Sequence, residues 1–66
     1  MHTLKNWRAK RAGGRITVYG TNAETGQADK VVGVDVIEPH KFKQGIFTIE
    51  AALATDKNGE KHLLRA

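Results

Sequence analysis

The sequence predicts an all-β fold, a five-stranded meander of consecutive hairpins that curls into a small barrel. Turn signals recur at short intervals, at Gly13-Gly14, Glu24-Thr25-Gly26, Pro39 to Gly45 and Asn58-Gly59, with β-rich runs between them. Gly13-Gly14 and Asn58-Gly59 are dipeptides that accept the positive φ angles of two-residue type I′ hairpin turns. The registers imposed by the first two turns also agree with each other.

The strands are expected over roughly 4–12, 15–22, 28–38, 46–55 and 60–66. A turn at Gly13-Gly14 sets Trp7 opposite Gly20, Ala9 opposite Val18 and Arg11 opposite Ile16. A three-residue loop at 24–26, with Gly26 left-handed, sets Val18 opposite Val32 and Ile16 opposite Val34. Together these gather Trp7, Ala9, Ile16, Val18, Val32, Val34 and Val36 on one inner surface. The last turn sets Leu53 opposite Leu64 and aligns Phe47, Ile49, Ala51 and Leu53, which are expected to close the core from the other side. Five short strands in this order suit an SH3-like or OB-like barrel. Two stretches have a helical alternative: residues 3–12, capped by Thr3 and Gly13, and the alanine-rich residues 48–54.

At 66 residues the chain is read as a single small β domain over residues 1–66. It has no cysteine, so disulfides and thiolate metal sites are excluded. A domain this small, without staples, is expected to gain stability from a partner or from copies of itself. No apolar run is long enough to span a bilayer, so the expectation is a cytoplasmic protein without membrane contact.

Charge is distributed unevenly. Residues 1–20 hold Lys5, Arg8, Lys10, Arg11 and Arg15 and no acid, whereas the remainder holds six bases against seven acids. The whole net charge of +4 therefore belongs to the N-terminal third, which suggests a polyanionic partner; the competing reading is a solvated face that keeps the protein soluble. In the expected register Arg8, Lys10, Arg15, Thr17 and Tyr19 share the outward face of the first hairpin, with Lys5 at its margin. Cations around an aromatic ring suit a phosphate backbone with a base stacked beside it. Arg15 falls opposite Asp35, an internal pairing that would weaken this site. The His40-Lys41-Phe42-Lys43 run, in the connection after Pro39, offers a second stacking candidate if Phe42 is exposed between Lys41 and Lys43; otherwise Phe42 plugs the barrel end.

Val31 and Ile37 fall on the expected solvent face, and adjacent Leu63 and Leu64 point to opposite sides of a final strand with an open edge. These four residues are the candidate protein interface. Catalysis is not expected: the chain has no serine and no phosphate loop, and its scattered acids read as solvated charges. No cofactor is expected, and no metal site either, because His2, His40 and His62 stand far apart in sequence. The resulting expectation is a non-enzymatic basic module for nucleic acid or another anion. The alternative is a protein-interaction module, such as a small viral or accessory inhibitor or a homo-oligomeric structural protein, and a weaker third reading is a nucleotide-phosphate binder. Salt dependence separates polyanion binding from an apolar interface.

Overall fold

The computed structural model describes residues 2–66, which form five strands: β1 (His2–Ala12), β2 (Arg15–Asn22), β3 (Ala28–Gln44), β4 (Phe47–Asp56) and β5 (Lys61–Arg65). Both stretches with a helical alternative are strands. Each strand runs antiparallel to the next, and β5 closes the barrel by pairing parallel with β1 through His2–His62 and Leu4–Leu64. An up-and-down ring with an odd number of strands must contain one such parallel pair. The order is a meander, without the Greek-key crossing of an OB-like barrel. Because β5 is paired on both sides, it is not the open edge expected from its place in the chain. No helix among the described residues is long and apolar enough to cross a membrane.

The first turn forms as expected, with Gly13 at φ 58° and Gly14 at φ 76°, and Arg8 to Ala12 pair with Tyr19 to Arg15 in the register it dictates. Below Arg8 the register shifts by one residue, so Asn6 and Trp7 together oppose Gly20, and Asn6 takes φ 52°. This bulge brings Leu4 fully into the core, while Trp7 is half-buried against it. Gly20 has a steric role here: a Cβ would stand 2.8 Å from the Lys5 carbonyl oxygen and 3.1 Å from Leu4 Cβ. Ala9, expected in the core, is exposed, since this end of the hairpin extends past the closed part of the barrel.

The loop between β2 and β3 is one residue longer than expected. Asn22 N–H donates to the Gln27 carbonyl (2.8 Å), and the Asn22 side-chain oxygen accepts from the Glu24 and Thr25 N–H groups. The added residue slips the register, so Val18 faces Val31 rather than Val32. Val31 is therefore core, 7% exposed, and not an interface residue, while Val32 is 63% exposed. A second bulge at Val32-Gly33, with Gly33 at φ 68°, restores the expected Ile16–Val34 pairing. A third, at Asp35, turns Val36 outward and Ile37 inward, where it packs half-buried against the core.

The segment expected to connect the third and fourth strands is strand itself. β3 runs on to Gln44, and a two-residue turn, Gly45-Ile46, joins it to Phe47. Gly45 at φ 63° followed by a residue without positive φ fits a type II′ turn. At the last turn, Asp56 N–H donates to the Glu60 carbonyl, giving a three-residue loop that ends on Gly59 at φ 80°. The resulting slip pairs Leu53 with Leu63 and Ala52 with Leu64. Ala54 and Leu64 are consequently fully buried, and Phe47, Ile49, Ala51 and Leu53 line the outer face instead of closing the core. Leu64 is thus a core residue rather than an interface residue, and Leu63 is half-buried on the outer side beside Leu53.

A polar chain ties all five strands together. Asn22 of β2 donates through Nδ2 to Asp29 Oδ2 of β3 (3.1 Å), which also meets His2 Nε2 of β1 (2.9 Å). His2 Nδ1 meets His62 Nδ1 of β5 (2.9 Å), and His62 Nε2 meets Asp56 Oδ2 of β4 (3.0 Å). Hydrogen bonds hold both carboxyls below the usual range: that of Asn22, then those of Lys30 N–H and His2, bring Asp29 to about 2, and His62 dominates the lowering at Asp56. All four ring nitrogens of the His2–His62 pair are engaged in these contacts. Sequence spacing gave no sign of this pair, since the parallel closing seam brings together residues 60 positions apart.

Candidate functional site

The expected anion face is built by the first hairpin. Its type I′ turn sets Arg8 beside Tyr19 and Lys10 beside Thr17, so Arg8, Lys10 and Tyr19 surround one concavity of about 430 Å³. Among the described residues, no carboxylate lies within ion-pair distance of Arg8, Lys10 or Arg15. The expected pairing of Arg15 with Asp35 therefore does not form. Arg15 lies further along the same face of β2, in a second cleft of about 390 Å³ with Thr17, Val32 and Lys57. Lys57 was not singled out from the sequence, because only the folded turn brings it to β2. Lys5 is exposed on β1 beyond the Asn6-Trp7 bulge and does not line the first concavity.

The second stacking candidate separates on folding. In a strand, alternate side chains point to opposite faces, so Phe42 is turned away from Lys41 and Lys43. Lys41 Nζ reaches Glu50 at 3.7 Å, whereas Phe42 is half-buried on the other side with the Arg65 guanidinium 5.5 Å from its ring centroid. Phe42 therefore neither stands exposed between the lysines nor enters the barrel. It belongs to an apolar outer surface with Ile49, Leu53 and Leu63 that runs along the β3–β4 hairpin to Phe47, 66% exposed, and Ile46 at the turn, 94% exposed.

Two further groupings have chemical potential. Aspartate–imidazole pairs are elements of general-base chemistry, but all four ring nitrogens of His2 and His62 are engaged by each other or by a carboxylate. The 5.1 Å between ring centroids is nearly the longest separation a 2.9 Å nitrogen contact permits, so the Nδ1 atoms point head-on. Asp56, Glu60 and His62 bring ligand-type atoms within 4.8 Å of one another. There the Asp56 oxygens are already occupied, Oδ1 by the Asn58 and Glu60 N–H groups and Oδ2 by His62.

No protein-family model, curated protein or solved structure matches the chain.

Proposed function

We propose that this protein is a non-enzymatic binding module that takes nucleic acid or another polyanion on the outer face of the β1–β2 hairpin. The observation that carries the reading is the convergence of Arg8, Lys10 and Tyr19 on one concavity, with no carboxylate among the described residues in ion-pair range of either cation. Cations so placed release condensed counterions from a phosphate backbone, and the half-exposed Tyr19 ring offers a platform for a base or sugar. The engagement of every histidine nitrogen in the seam favours binding over catalysis.

The test is the double substitution Arg8→Glu with Lys10→Glu, both on exposed positions. It should abolish retention on heparin and weaken oligonucleotide binding, and the salt slope should fall by about 1.4 for two lost phosphate contacts to a single strand. Unchanged binding by a folded variant would refute the reading. A second reading, docking on an apolar protein surface, is favoured by the exposed Ile46 and Phe47 at the end of the β3–β4 hairpin. Such binding would resist added salt and would respond to Phe47→Ser rather than to the charge reversals.

A further inference from the structure

Resting on the reading of the β1–β2 face as an anion site, we infer that the bound strand runs on into the cleft beside the Gly33 bulge, so that the ligand is a single-stranded nucleic acid spanning two subsites. The two depressions share one strand face. Tyr19, Thr17 and Arg15 alternate along β2 on its outer side, with Tyr19 in the first concavity and Thr17 and Arg15 in the second. From Tyr19 to Arg15 is four residues, about 13 Å along a strand, which is longer than a single nucleotide can bridge with one phosphate.

The second cleft is a product of the bulge. Gly33 at φ 68° turns Val32 outward onto the cleft wall. It also leaves its own outer side bare, and there the Lys57 stem lies, 3.5 Å from where a Cβ on Gly33 would stand. Lys57 N–H donates to the Gly33 carbonyl (3.2 Å), which fixes the base of that side chain against β3. The one carboxylate in the lining is Asp56, and its oxygens accept from Asn58 N–H (2.9 Å), Glu60 N–H (3.0 Å) and His62 (3.0 Å). Arg15 and Lys57 consequently stand without a carboxylate in ion-pair range among the described residues.

The lining of the path distinguishes a single strand from a duplex. Arg8 and Lys10 flank Tyr19, and Arg15 and Lys57 flank Val32, with the Thr17 hydroxyl between the two sets. Each subsite thus joins a phosphate-seeking pair to an exposed aromatic or aliphatic surface. Unpaired bases can cover such surfaces, whereas a duplex hides its base faces and offers only phosphates.

The experiment compares wild type, R8E/K10E and R15E/K57E against a labelled thymidine oligonucleotide, the same sequence as a duplex, and thymidine monophosphate. Circular dichroism checks each fold, and R15Q/K57Q serves as the milder variant. R15E/K57E should weaken the oligonucleotide by about tenfold or more and lower its salt slope by about 1.4, while the monophosphate, which either subsite can hold alone, should still bind at the first. The single strand should also bind more tightly than the duplex at equal salt. If R8E/K10E destroys oligonucleotide binding but R15E/K57E does not change it, the two-subsite path is wrong and the first anion site stands. A duplex preference would overturn the single-strand assignment. If neither double variant changes binding, both readings fall.

Discussion

Replacing Val31 and Val32 separately by alanine tests the slipped β2–β3 register directly, because one residue of slip exchanges core for solvent. Val31 is 7% exposed opposite Val18, and Val32 is 63% exposed. Val31→Ala removes two buried methyl groups, about 1.6 kcal/mol of transfer free energy, and the cavity left between Val18 and Val34 raises the loss to roughly 2–3 kcal/mol. For a domain of this size each kcal/mol moves the melting temperature by about 4–8 °C, so the midpoint should fall by about 10–20 °C. Val32→Ala should change stability by no more than about 0.5 kcal/mol. Thermal and urea unfolding followed by circular dichroism measure both variants. Equal losses would refute the one-sided burial, and a larger loss at Val32 would show that the chain keeps the register of a three-residue loop and that the Gly33 bulge does not form.

Two other perturbations probe the contacts around β1. Gly20→Ala should cost roughly 1–3 kcal/mol in urea unfolding, because the new methyl meets the Lys5 carbonyl and Leu4 Cβ, and backbone on the neighbouring strand must move to admit it. Acid should destabilise the barrel in a defined window: Asp29 titrates near 2 when folded against 3.8 ordinarily, so the unfolded chain binds the proton first. The Asp29 contribution is therefore complete above about pH 4 and is lost as pH falls towards 2, with Asp56 acting in the same direction. Urea midpoints across this range should fall with acidity in wild type and fall less in Asp29→Asn; an identical slope in that variant would contradict the hydrogen bonding of Asp29 by Asn22, Lys30 N–H and His2.

Much of the architecture was legible because it is written locally. Three of the four turn regions, with the alternation between them, lie between strands as expected, and Gly13-Gly14 dictated its register outright, whereas the region from Pro39 is strand as far as Gln44. The errors are mostly one-residue shifts at places where side-chain chemistry lengthens a loop. Asn22 holds two loop N–H groups, and Asp56 holds those of Asn58 and Glu60; each aspartate or asparagine at a strand end adds one residue to the turn it precedes. Alternation alone is blind to such a shift, since both faces of β3 and β4 carry apolar residues. An isolated glycine within a strand does signal a bulge, and Gly33 was that signal. The His2–His62 contact had no local trace, as it depends on closure between the two ends of the chain.

The slips and bulges compensate, and the candidate site lies where they do. The longer loop turns Val31 inward, and without correction it would also carry Val34 away from Ile16 and out of the core. One extra residue at Val32-Gly33 recovers that pairing, leaving both Val31 and Val34 buried with two residues looped between them. Those two residues are the ones that change the surface. Val32 becomes an exposed apolar wall, and Gly33 supplies both the positive φ that the bulge requires and the bare backbone over which Lys57 lies. In the regular register of a three-residue loop Val32 would be core, and the cleft beside Arg15 would lose its apolar wall. The cleft beside Arg15 is thus a consequence of how the core is filled, which makes Gly33 the residue on which packing and the second subsite jointly depend.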